Sequence, residues 1–531
     1  MATGAATAPP GTVQLMLQSD ESTGVSTFML SPTPSSDPNE PLNWSTWRKC
    51  FNYGLTIAVT VAAFTNLSIQ TVFWQQMTVD LGVTITQLTH AQSAQLAGLA
   101  MGCIFFIPLT IKYGRRSTYV ISTAALAAVS WWTSSMSSYT ELILTSIITG
   151  LAGAINETSV QMTIADLFFV HQRGSANAVY FTAVMVGSFL TPLAAGSQAA
   201  EQGWRWSYYA LSIAMTALFV AFFLLFEETK FVPVSVGQTN ISTSLVVTSS
   251  NQSHEQDKEE LKVHGYATMT TVTRIDPAIP INTWRQRLRF ITPTPESLPR
   301  LFIIPLHVIT LPHVFFTALQ FASGVCWLVL YMSVVSIIFP QPPYNFTTLG
   351  IRCMTLGPFI GNVFGSIYGG PLSDWVIVRL ARRNGGVFEP EMRLYPLVVP
   401  TVVMAGGIIM FGVTADKGMH WIYPSIGGAL FAFGLGANGD ITFTLIVDTY
   451  RELTAEAFIG VAFLRNAISV AVPFALVPWM KSMGLTNMYI LSGCIAFAIG
   501  LLFVPMIIWG KKIRTTLAPR YWKLVERRSM I

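Results

Sequence analysis

Three ionisable side chains stand inside stretches that are otherwise apolar: Glu157, Asp440 and Arg465. A charged group at the centre of a bilayer costs roughly 2.5 to 3.5 kcal/mol on insertion scales, so it is found with an opposite charge or beside water. Glu157 precedes Asp166 by nine residues and Asp440 precedes Asp448 by eight, about 13 and 12 Å of helix, which is near mid-depth. Arg465 lies some ten residues into its own apolar stretch. Depth alone pairs Asp440 with Arg465 and leaves Glu157 as the carboxyl that exchanges a proton or meets a cation. Around them lie groups suited to a binding cavity: Asn156 and Gln161 beside Glu157, Asn438 beside Asp440, Asn66, Gln70 and Trp74 early in the chain, and Gln320, Trp327 and Tyr331 in the middle. Amides of this kind hydrogen-bond ligands or glue helices together, and aromatic rings stack on flat organic molecules or attract ammonium groups.

The elements that must position these residues follow from composition. Of 531 residues, 52% are hydrophobic and 11% charged, against a charged share of about 25% in soluble proteins. Crossing about 30 Å of hydrocarbon takes about 20 helical residues, and twelve apolar stretches reach that length: 50–72, 90–111, 117–136, 140–164, 175–199, 206–226, 308–338, 350–377, 395–414, 421–446, 455–479 and 487–510. The expected class is an all-α polytopic membrane protein. Its predicted divisions are a disordered tail (1–49), a first six-helix bundle (50–226), a flexible polar linker (227–301), a second bundle (302–510) and a final tail (511–531).

Basic residues set the orientation, because cytosolic loops are enriched in them. Only Arg205, Arg352, Lys417 and Lys481 of the 31 Lys and Arg fall in the other set of loops, and Arg465 lies within a span. Both termini are therefore expected in the cytosol. The sequon Asn345-Phe346-Thr347, between spans seven and eight, then faces outside as a glycosylation acceptor, while Asn240 and Asn251 in the linker stay unmodified. The net charge of +5 is spread over many loops, which argues against nucleic-acid binding. The five cysteines show no CxxC spacing and suggest neither a disulfide framework nor a metal site.

The halves repeat. Sliding span four onto span ten places Asp166 on Asp448 and Asn156 on Asn438, with Glu157 beside Asp440. Transporter folds are often built from such repeats around a site at the midplane.

Between spans two and three the chain reads Leu109-Thr110-Ile111-Lys112-Tyr113-Gly114-Arg115-Arg116. The matching loop of the second half holds Gly370-Pro371-Leu372-Ser373-Asp374 with Arg379 and Arg382-Arg383. Together these loops resemble the G-x-L-x-D-R-x-G-R-R signature of the major facilitator superfamily, the first keeping its Gly-Arg-Arg end and the second its acid. Gly187, Thr191-Pro192 and Ala195-Gly196 are similar to the antiporter motif of span five. The segments 37–44, 166–174 and Gly203-Trp204-Arg205-Trp206 look like the fungal twelve-span drug:proton antiporter branch, which includes polyamine and histidinol permease-like proteins and secondary-metabolite exporters. The resemblance implies a major facilitator fold of two six-helix bundles. It also implies a conformational latch made by Lys112, Gly114, Arg115, Arg116, Gly370, Asp374 and Arg379. The family's span-four arginine position holds Ser146, so proton coupling must rest on other groups.

The expected function is secondary active export of small organic compounds in exchange for protons, by a monomer in the plasma membrane. Uptake of organic cations such as polyamines is the alternative, with a low-flux nutrient receptor behind it. No Walker loop is present, and His307 with His313 is too little for a metal centre. Neither an enzyme nor a cofactor is expected.

Overall fold

The computed structural model describes residues 10–14, 37–168, 170–231, 279–292, 298–385 and 387–529. Helices occupy all twelve predicted positions. Spans one to four are Thr46–Ser68, Ile85–Tyr113, Arg115–Ser135 and Tyr139–Leu167; span six is Trp204–Leu225. Spans seven, nine and ten are Pro312–Ile338, Val398–Asp416 and Ile422–Thr449. Nine helical runs among the described residues are long and apolar enough to cross a membrane. The last of these, Glu456–Arg527, covers both span eleven and span twelve, which separate at Gly484, where φ is 75°. The other two positions are the more polar span three and the interrupted span eight.

Two spans are interrupted by a π-helical turn beside a proline. Span five runs Val170–Met185, a π-helical turn Val186–Leu190, and Thr191–Gln202. Pro192 has no N–H to donate back along the helix, and the Thr191 hydroxyl donates instead to the Gly187 carbonyl at 2.8 Å. Span eight runs Leu356–Ile367, a π-helical turn Tyr368–Leu372 containing Pro371, and Ser373–Arg383.

Spans two and four, and likewise eight and ten, pack closely because glycines remove the intervening side chains. A Cβ on Gly98 or Gly102 would strike the carbonyls of Ile147 or Leu151. On span eight, Gly357, Gly361, Gly365 and Gly369 succeed one another every four residues and face the carbonyls of Ser425, Ala429, Phe433 and Ala437 on span ten. In lipid there is little hydrophobic drive between helices, so close backbone approach supplies the association.

The two ends of the molecule are chemically distinct. One, here the basic face, carries Arg48, the Gly114-Arg115-Arg116 turn, Arg393 and the last helix, Phe503–Ser529. At the opposite face the halves touch through Ser336, whose hydroxyl donates to the Thr71 carbonyl at 2.7 Å, and Ser333, which donates to Gln92 at 2.8 Å. A helix Leu298–Ile309, preceding span seven, packs on spans two and eleven.

The described part of the linker is not loose. Residues 279–292 lie on the basic face: Arg116 donates to the Leu288 carbonyl at 2.5 Å, and the Thr292 amide to the Tyr113 carbonyl at 2.8 Å. The first tail likewise has docked pieces. Asn39 bonds Pro280 and Asn282, and β1 (Val13–Gln14) pairs antiparallel with β2 (Val387–Phe388). Asn240 and Asn251 lie outside the described residues.

Candidate functional site

At mid-depth the halves are joined by an ion pair, and it is not the expected one. Arg465 on span eleven pairs with Glu157 on span four, both side chains nearly buried. The neighbouring Asn466 donates its amide to Glu157 Oε2 at 3.0 Å and accepts from Arg465 Nε at 3.0 Å, closing a three-residue ring. Such a pair in a dry interior holds only when further hydrogen bonds satisfy both ions, and Asn466 supplies them. The Arg465 guanidinium also lies 5.0 Å from the Phe321 ring centre.

The expected pairing of Asp440 with Arg465 is therefore corrected. Depth along a helix says nothing about the direction a side chain takes around its axis, and the acid turned toward Arg465 is Glu157. Asp440 is turned toward span eight, against the Ser366 hydroxyl and the bare backbone of Gly369. Among the described residues no Lys, Arg or His pairs with it.

Aromatic rings adjoin these groups on their basic-face side. Phe443, one turn beyond Asp440, stacks edge-on to Phe321 at 4.7 Å and contacts Phe458 at 5.1 Å and, across the halves, Phe181 at 6.1 Å. Apolar contacts continue the seam: Cys103, Ile107 and Ala154 of the first half pack with Ile459 and Ala462 of the second.

The remaining expected cavity residues divide. Asn156, fully buried one position before Glu157, has no hydrogen-bond partner for either amide atom among the described residues, and Gln161 is half-buried one turn further on. Gln320 is occupied as helix glue: it donates to the carbonyls of Ile499 at 2.8 Å and Gly500 at 3.2 Å and accepts from Asn438 at 3.2 Å. Trp327 donates to Ser323 at 2.9 Å and Tyr331 to the Met354 carbonyl at 3.1 Å, both buried. Gln70 reaches Ser146 at 3.4 Å and Asn66 reaches Ser130 at 2.6 Å. In this arrangement Gln320, Trp327 and Tyr331 are buried and hydrogen-bonded.

The residues expected to form a latch lie in two clusters on the basic face. Arg115 donates to Asp166 at 3.1 Å in the first half. In the second, Arg393 pairs with Asp448 and, at 2.9 Å, with Asp374. Asp166 and Asp448 thus hold equivalent arginines, as the repeat implied. Gly114, at φ 114°, leaves room for Glu228, whose carboxylate accepts from the Arg115 amide at 2.9 Å and the Arg116 amide at 3.2 Å. Burial holds the Glu228 carboxyl above its ordinary range, opposed by those amides. The second half has the same joint with its charges exchanged, Arg514 of the last helix binding Glu391 before span nine. Lys112 lies 5.8 Å over Tyr113, Arg379 lies 5.4 Å over Trp375, and Gly370 borders open space.

Asn466, Arg393, Glu228, Glu391 and Arg514 are joined to these groups without having been singled out in the sequence. Two carried a usable signal: Asn466 adjoins Arg465, and Arg393 precedes span nine as Arg115 opens span three.

A family model described as Major Facilitator Superfamily matches residues 55–473. An uncharacterized MFS-type transporter of Schizosaccharomyces pombe is 28% identical over 95% of this chain and 91% of its own length. The protein HOL1 of Saccharomyces cerevisiae is 25% identical over 94% of this chain and 92% of its own. The major facilitator superfamily multidrug transporter FLU1 of Candida albicans is 26% identical over 90% of this chain and 74% of its own.

Proposed function

The chain belongs to the Major Facilitator Superfamily, and from that premise we propose that it exports small organic compounds across the plasma membrane in exchange for protons, with both termini in the cytosol. The observation that carries the coupling is the contrast between two acids: Glu157 is held by Arg465 and Asn466, whereas Asp440 lies beside the Ser366 hydroxyl and the Gly369 backbone and has no Lys, Arg or His partner among the described residues. An unpaired carboxylate is costly to bury and binds a proton to remove the cost. Asp440 is thus assigned proton uptake and release. Glu157 and Arg465 are assigned a different task, a bridge between the two six-helix halves that parts when they rock apart. Similarity to the multidrug transporter FLU1 supports drug-like cargo.

A second reading, uptake of organic cations, is favoured by the rings of Phe321, Phe443 and Phe458 next to an acid. Labelled drugs and organic cations, offered to cells with and without the protein and with and without a proton uncoupler, separate the two. Export predicts less accumulation with the protein and loss of that difference under uncoupler. Greater accumulation with the protein selects uptake, and no dependence on either variable ends the proposal.

A further inference from the structure

Arg514 is fully buried, and only part of its guanidinium is used by Glu391. The remaining nitrogen, Nη1, donates to the Pro10 carbonyl at 2.5 Å and to the Thr12 hydroxyl at 3.2 Å. A buried guanidinium with unmet donors is costly, so the first tail completes a polar joint that the second half leaves unfinished. Two further features make this a shaped seat. Gly11 has φ 87°, and a Cβ there would lie 2.6 Å from the Asp448 carbonyl and 2.9 Å from Thr449 Cα. Beyond it the segment turns extended, and Val13 and Gln14 add a strand to Phe388 and Val387, the strand-addition mode in which backbone bonds supply affinity.

We propose that the basic face of the second half contains a binding site for a short extended peptide with glycine at its centre, filled in cis by residues 10–14 of this same chain. The occupant touches three elements at once: Arg514 on the last helix, the end of span ten at Asp448 and Thr449, and Pro390 before span nine. It therefore fastens span nine, span ten and the last helix to one another beside the Arg393–Asp448 ion pair. Its other docked piece, residues 37–44, rests on the linker segment at 280–282.

The test uses the full-length chain carrying Gln14→Cys and Val387→Cys, oxidised mildly in detergent and scored for a 14–387 disulfide against each of the two single substitutions, in which the five native cysteines remain as the background. The cross-link is expected to form readily and to slow at least tenfold when Gly11→Val is added, a change in the tail that leaves the helical body intact. A labelled synthetic peptide of residues 6–18 should then bind saturably to the full-length Gly11→Val protein. The same peptide with Gly11→Val should not bind. No cross-link, a cross-link indifferent to Gly11→Val, or failure of the peptide to bind would each overturn the site. None of these readouts depends on the transported compound or on protons.

Discussion

At the scale of residues, the Glu157–Arg465 pair reverses the expectation drawn from depth. With Glu157 paired to Arg465, Glu157→Gln strands Arg465 in a dry interior, and removing one partner of a buried pair costs about 3 to 5 kcal/mol. Thermal unfolding in detergent should show that loss, and Glu157→Gln with Arg465→Met should recover much of it, because the stranded charge is gone. Equal stability of the single variant and wild type would mean that the pair does not form. Glu228 gives a test with the opposite sense. Its folded-state carboxyl is raised above the ordinary value by burial, so its favourable contribution is fullest at low pH and fades as pH rises through the raised value. Glu228→Gln should therefore gain stability relative to wild type as pH climbs above about 4.5, in melting curves taken across a pH series. A constant difference would remove Glu228 from the account.

At the scale of elements, the glycine ladder of span eight carries a strict steric demand. Gly365→Leu places a side chain where the Phe433 carbonyl already lies. Overpacking of this kind costs typically 1 to 3 kcal/mol, so folded yield should drop sharply, whereas Gly370→Leu, beside open space, should be tolerated; size-exclusion profiles of the two variants check this. Apolar length made the twelve helices legible in the sequence, whereas Gly370-Pro371, read there as part of a loop, forms a π-helical turn that continues span eight into Ser373–Arg383. The contact between spans four and eleven was not legible. Glu157, Asp440 and Arg465 share one depth, and the choice of partner depends on the rotation of each helix about its axis, which only packing decides. The docked pieces of tail and linker were hidden for a related reason: their sequences are polar and lack periodicity, and what orders them is distant backbone, such as the Tyr113 carbonyl and β2.

At the scale of the whole molecule, the repeat read from Asp166 and Asp448 reappears as paired joints, with Arg115 and Glu228 in one half and Arg393, Glu391 and Arg514 in the other. The proposed orientation places exposed Asn345, on its loop after span seven, outside the cell. Glycosidase treatment should shift the mobility of wild type and leave Asn345→Gln unchanged; a shift retained in that variant would invert the topology. Proton uptake by Asp440 rather than Glu157 is the proposed coupling step. It is tested by proton-gradient-driven movement of an identified compound in vesicles, per folded molecule, in wild type and Asp440→Asn. Asp440→Asn should keep downhill exchange and lose concentrative transport along with its pH dependence. Concentrative transport at the wild-type rate and with the wild-type pH profile would contradict the account.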